Sequence, residues 1–210
     1  MIDVMDVRQK TKDEVITENF LYASMGGTQD SRNSRLKCWN RQGKLLRLRR
    51  GVYAFGEKYR KKSINLYSAA QLIYGPSYIS FESALSYHGI IPEAVYSVTS
   101  ASMDRAKDFR TPVGVFSYRP VNSNVFLAGV KRETEGREVF LIASPFRALA
   151  DIMYARGKKW KNPEDAAEDL RLDTEEITSD DVSLIDEIKD SFSKRRIREF
   201  LDKCRKEFGA

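Results

Sequence analysis

Apolar residues in the first quarter of the chain fall into two helical stretches and a hairpin. Between residues 11 and 25, Val15, Ile16, Phe20, Leu21 and Tyr22 recur at near-helical spacing, which predicts a helix that Met25-Gly26-Gly27-Thr28 breaks. Asp30 or Ser31 can cap a second helix running to about Gln42. Leu36 and Trp39 share one of its faces, and Gly43 stops it. In residues 44–55 the period changes to two: Leu46 and Leu48 alternate with Arg47 and Arg49, Arg50-Gly51 can turn, and Tyr53 and Phe55 alternate on the return. Helix, turn, helix and basic hairpin in that order predict a winged helix-turn-helix over residues 1–60, with 58–62 as an exposed linker.

The pattern then becomes mixed. Leu66, Ala69, Ala70 and Ile73 fit a helical face ended by Gly75-Pro76. Ser80 can cap a helix over 81–88 that Gly89 stops, with Phe81, Ala84, Leu85 and His88 on one side. Residues 95–99, 113–118, 126–130 and 138–142 read as strands. Ser144-Pro145 opens a helix carrying Phe146, Leu149, Ala150, Ile152 and Met153. Residues 157–210 read as an amphipathic helical extension with Phe192, Ile197, Phe200, Leu201 and Cys204 as its apolar positions. The expectation is an α+β chain: a winged helix-turn-helix (1–60), a mixed α/β domain (63–156) and a helical C-terminal extension (157–210).

Charge adds what periodicity cannot. The net charge of +6 over 210 residues conceals segregation. Residues 28–62 carry 12 Lys/Arg and 2 acids, and residues 162–190 carry 2 Lys/Arg and 12 acids. Residues 191–210 carry 7 Lys/Arg and 3 acids. A concentrated basic segment suits a polyanion, because each phosphate contact releases counterions. The acidic run lacks calcium-loop spacing and reads as a solvated helical face or a partner for a basic surface. No apolar run reaches membrane-spanning length, and the acidic N-terminus lacks a signal segment, so a cytoplasmic protein with no membrane partner is expected.

Candidate chemistry concentrates in the basic segment. On the second helix, Ser31, Arg32, Asn33, Ser34, Arg35, Lys37 and Arg41 are the types that reach base edges and phosphates from a major groove. Arginine suits guanine and asparagine suits adenine. Arg47, Arg49 and Arg50 on the hairpin can straddle the backbone or enter a narrow minor groove. Double-stranded DNA is thus the expected partner. RNA is less favoured, because the aromatic sheet-face signature of single-strand RNA readers is missing. No catalytic or metal-binding residue and no cofactor is expected. Cys38 and Cys204 lie far apart, His88 is the single histidine, Ser80 and Ser83 sit in no nucleophile elbow, and no phosphate-cradling glycine loop occurs.

Three blocks resemble AbiEi-type antitoxins: residues 43–53 (GKLLRLRRGVY), 78–93 (YISFESALSYHGIIPE) and 143–151 (ASPFRALAD). The third departs from that family's usual acidic-basic pair after the proline, having Phe146-Arg147 there. The resemblance covers roughly residues 12–156. It implies a type IV toxin–antitoxin, or abortive-infection, setting: a winged helix that binds inverted repeats in its own promoter and represses it, and a second domain that counters a nucleotidyltransferase toxin encoded nearby. DNA contact then falls on residues 32–41 and 47–50. A stand-alone regulator whose second domain senses a ligand or mediates assembly is the rival expectation. A preformed dimer and cooperative loading of monomers on the repeat both remain open.

Overall fold

A computed structural model describes residues 2–92 and 95–209. Glu93, the last residue of the second block, lies outside them. The chain is α+β with a helical C-terminal stretch.

Three short helices and three strands form the N-terminal part: α1 (Val4–Gln9), β1 (Val15–Thr17), α2 (Glu18–Ser24), α3 (Gln29–Arg41), β2 (Leu45–Arg49) and β3 (Val52–Phe55). The single helix expected over 11–25 is a strand followed by a helix. Thr17 divides them, accepting a hydrogen bond from the Phe20 amide as the N-cap of α2. Adjacent β-branched residues, Val15 and Ile16, complete an antiparallel sheet of order β1-β3-β2.

That sheet is covered on both faces, so β3 is buried at all four positions. Ile16, Tyr53 and Phe55 face a small core with Val4, Val7, Leu21, Leu36 and Trp39. Val15, Val52 and Ala54 face the larger core of the rest of the chain. The segment expected as an exposed linker is pinned in place. Arg8, buried against Glu14 at 2.7 Å, also donates to the Tyr59 carbonyl, and the Lys61 amide donates to Glu14. Residues 58–62 therefore mark a boundary in sequence but no gap in packing.

The larger part is a six-stranded mixed sheet of order β6-β7-β5-β4-β9-β8. Its strands are β4 (Ser77–Ile79), β5 (Ser97–Ser102), β6 (Lys107–Thr111), β7 (Gly114–Pro120), β8 (Val130–Glu135) and β9 (Glu138–Ala143). Helices α4 (Leu66–Ile73), α5 (Phe81–Tyr87) and α6 (Pro145–Arg156) pack on it. The strand expected over 126–130 is absent: residues 126–129 form turns, and β8 starts at Val130. Gly129 at φ +66 makes the entry, and a Cβ there would stand 2.3 Å from Ile188 Cγ1. Strands β4, β6 and β8 carry no usable period-two signal. The three residues of β4 are buried throughout, and β6 and β8 are edge strands whose polar residues face solvent.

Helices α7 (Pro163–Leu170), α8 (Ser179–Ser183), α9 (Ile185–Ser191) and α10 (Arg195–Phe208) complete the chain. They are no appendage, because Ile185, Ile188, Phe192, Ile197, Phe200, Leu201 and Cys204 belong to the larger core. They cover α6 on the side away from the sheet, so residues 145–153 are buried without exception.

Two of those buried residues are charged. Arg147 Nε lies 2.9 Å from Asp151 Oδ1, one helical turn away, and both side chains are fully buried. The guanidinium also donates to the Ala128 carbonyl (2.7 Å) and the Tyr78 hydroxyl (2.6 Å), while Tyr78 and Ser80 donate to Asp151 Oδ2. Ser80, expected to cap α5, gives its hydroxyl to this network and makes no side-chain cap bond. Burial pushes the Asp151 carboxyl upward, and the Arg147 charge with the Ser80 and Tyr78 hydroxyls opposes it. Removing one member strands the other in a dry interior. Asp151→Ala is expected to cost about 3–5 kcal/mol in a urea melt, with the transition remaining cooperative.

His88 ends α5, where its Nε2 faces the Ala143 carbonyl at 2.9 Å. Burial lowers its pKa below the ordinary 6.5. A depressed histidine pKa means that the unfolded chain binds the proton more readily. The stability from neutral His88 is therefore complete above about pH 6.5 and is lost as pH falls through the folded value. Melting curves of parent and His88→Gln should diverge less at pH 5.5 than at pH 7.5.

Candidate nucleic-acid interface

Helix α3 is started by Thr28, two or three residues ahead of the caps expected. Its hydroxyl accepts from the Ser31 amide, and the Ser31 hydroxyl donates back to the Thr28 carbonyl at 2.8 Å. Gly27 at φ +96 makes the approach, and a Cβ there would come within 2.6 Å of Ser31 Oγ. Leu36 and Trp39 bury the inner face as expected. Ser31, Ser34, Lys37 and Arg41 lie on the outer face, and Arg32, Asn33 and Arg35 lie on its flanks.

Between α3 and the hairpin runs a groove of about 390 Å³. Asn33, Lys37 and Asn40 line one wall, Arg47, Arg50 and Tyr53 the other, and Glu18 and Tyr22 of α2 also contribute. Asn40 joins the walls, because its Oδ1 accepts from the Arg47 amide at 3.0 Å. Tyr22 fixes the Asn33 amide by donating to its Oδ1, and the Arg32 guanidinium lies over the Tyr22 ring at 5.9 Å. Burial, with the Glu18 carboxylate nearby, holds the Tyr22 and Tyr53 phenols above the usual tyrosine value, so both stay protonated donors.

Glu18, Tyr22, Gln29 and Asn40 are groove residues that the sequence reading missed. Asn40 and Gln29 had a signal, since they stand seven residues after and four before Asn33, on one helical face. Tyr22 had only an apolar role in the pattern. Glu18 reaches the groove through the turn of the chain at Thr17.

Arg49 departs from its expected position. Strict alternation would place it beside Arg47. The ladder instead slips between them, with Arg47 opposite Tyr53 and Arg49 opposite Val52, a bulge centred on Leu48. Tyr53 faces the small core and the groove, whereas Val52 faces the larger core. Arg49 is thereby turned away and donates to the Ile73 carbonyl at the end of α4. The hairpin presents Arg47 and Arg50 to the groove and uses Arg49 to hold it against the rest of the chain.

Among the described residues, no group of three or more His, Cys, Asp or Glu could hold a metal ion, and no helix is long and apolar enough to cross a membrane. Cys204 is buried in the larger core, which pushes its thiol well above the ordinary value. Several acids of the 162–190 run pair within their own half of the chain: Asp169 with Lys158, Asp181 with Lys131 and Asp186 with Arg205. Neither a family model nor a curated protein matches the chain.

The split between the arginines predicts opposite phenotypes. Arg49→Ala should lower stability by about 1.5–3 kcal/mol, the range for a hydrogen bond to a charged group. It should leave retention on heparin nearly unchanged. Arg47→Ala should do the reverse; thermal melts and salt elution of the two variants decide between these outcomes.

Proposed function

We propose that the chain is a DNA-binding transcriptional repressor, built on a winged helix-turn-helix, that serves as the antitoxin of a type IV toxin–antitoxin system. It occupies inverted repeats in its own promoter and counters a nucleotidyltransferase toxin encoded nearby. The observation that carries the DNA reading is the groove, where a basic helix and a basic hairpin present donors across about 390 Å³ on a rigid base. The order α2, α3, hairpin, with α3 exposing Ser34, Lys37 and Arg41, suits a helix laid into a major groove with the hairpin beside it.

The mechanism is occupancy, with no bond made or broken. Arg47, Arg50, Lys37 and Arg41 supply phosphate contacts, and Asn33 and Arg32 supply base contacts. Because Tyr22 occupies the Asn33 carbonyl oxygen, the amide offers its N–H donors first. That arrangement suits guanine O6/N7 or thymine O4 better than the bidentate adenine contact the sequence suggested. The antitoxin role rests on the three sequence blocks. Two of them, 78–93 and 143–151, meet in the Arg147–Asp151–Tyr78–Ser80 network, which supports a shared architecture for those blocks and assigns no toxin-contact residue.

The test is titration of the promoter duplex and a scrambled duplex across a salt series. The parent should prefer its promoter. Arg47→Ala/Arg50→Ala should lower the salt slope by about two, at roughly 0.9 for each phosphate no longer neutralised. Asn33→Ala should relax sequence preference while the slope holds. Equal binding of both duplexes by the parent would end the repressor reading. Failure to rescue cells from the neighbouring nucleotidyltransferase would end the antitoxin reading and leave a stand-alone regulator.

A further inference from the structure

A second groove, of about 680 Å³, opens between the segment after α6 and the outer side of α10. Five of its lining residues are cationic: Lys159, Lys161, Arg196, Lys203 and Lys206. Its two acids do not neutralise them. Glu199 pairs with Arg195 at 2.7 Å and Asp202 with Lys189 at 2.9 Å, and both of these partners lie outside the groove lining. Among the described residues, none of the five cations has a carboxylate in ion-pair contact. Five cations against two carboxylates leave the lining with a surplus of positive charge, which a bound polyanion relieves.

The groove is also built on rigid supports. Helix α10 is anchored from beneath by Ile197, Phe200, Leu201 and Cys204. Lys203 Nζ donates to the Lys161 carbonyl at 2.7 Å, tying the two walls together. Arg196 donates through one terminal nitrogen to the Met153 carbonyl at 3.0 Å, and its Nε has no acceptor.

The aromatic residue in the groove narrows the class of ligand. Trp160 is 7% exposed, its indole N–H donates to Asp169 at 2.9 Å, and its ring lies against Phe200. It offers no free face for stacking, which single-strand binders need, and no protruding anchor of the kind that centres protein interfaces. What remains is a cluster of long cationic side chains suited to phosphates.

We propose that this groove is a second nucleic-acid contact, which holds the phosphate backbone of duplex DNA without reading its sequence. It lies in residues 157–210, beyond the part of the chain that carries the family resemblance, and it does not require the α3–hairpin groove to be the reader.

The experiment uses the whole chain and a long random-sequence duplex lacking the promoter repeats. Anisotropy is followed across a salt series for the parent and for Lys159→Gln/Lys161→Gln/Lys203→Gln/Lys206→Gln. The expected result is a salt slope lower by about three to four and an affinity at low salt at least about tenfold weaker. The ratio of promoter to random affinity should not change. Lys159→Gln/Lys206→Gln, which leaves the Lys203–Lys161 tie intact, guards against misfolding. It should lower the slope by about two at an unchanged melting temperature. Unaltered slopes in both variants overturn the proposal. So does loss of poly-glutamate binding with duplex binding intact, which would assign the groove to an acidic protein. Arg47→Ala/Arg50→Ala separates the two readings. If that variant loses promoter preference yet keeps lysine-dependent binding to random duplex, the groove stands by itself. If the parent never prefers its promoter but the lysine variants still lower the slope, the repressor reading falls and the groove remains.

Discussion

The buried pair Arg147–Asp151 is the constraint on which the larger part of the fold depends. Two ions in a dry interior are tolerated only when every donor and acceptor is met, and here the partners come from several places. Tyr78 and Ser80 come with β4, the Ala128 carbonyl with the turn before β8, and Arg147 and Asp151 with α6. The Phe192 ring at the end of α9 lies 5.0 Å from the guanidinium. A one-residue shift of β4 or of the turn before β8 would leave the ion pair within α6 but strip it of hydrogen-bond partners in a dry interior. The pair therefore fixes register among elements that are far apart in sequence, and the sheet, α5 and the C-terminal helices take their places around it.

The same demand explains what was legible in the sequence. The start of α6 was readable from Ser144-Pro145, because a proline at the first helical position is a local signal. The core positions of 192–204 were readable because α10 keeps its inner face apolar with little interruption. Ser80 was placed at the N-cap of α5 as expected, but the use of its hydroxyl was hidden, because only Asp151, 71 residues away, reveals it. The direction of Arg49 was hidden for a related reason. A bulge is a property of two paired strands, and one strand's alternation cannot announce it. In the candidate interface the cationic residues were visible by type. Tyr22 and Asn40, which orient them, were hidden because a single chain does not say which polar side chains face each other.

Segregated charge takes on a more specific meaning in three dimensions. Most of the acidic run faces solvent as expected, and the ion pairs it makes lie within the C-terminal half. Asp181, Asp169 and Asp186 engage Lys131, Lys158 and Arg205 there, while Glu199 and Asp202 are taken up by Arg195 and Lys189. The effect is to sort the cations. Lys131, Lys158 and Arg205 are tied to acids of the run, and among the cations outside such pairs are those that line two surfaces, the groove beside α3 and the groove beside α10. In the first, Tyr22 and Asn40 frame the cations with side-chain hydrogen bonds, and in the second the polar lining is mostly lysine.

Helix α6 has one further consequence, which concerns the order in which the chain is made. A helix buried on all sides needs its outer cover before its ion pair is dry, and that cover comes from residues 185–204. On a ribosome the strands and α6 emerge first, with Arg147 and Asp151 still open to water and an apolar flank still bare. The N-terminal part, whose small core is complete by Tyr59, can settle early. The remainder cannot close until residues 185–204 have emerged, so this part of the molecule is the one more exposed to chaperones and proteases while it is being made.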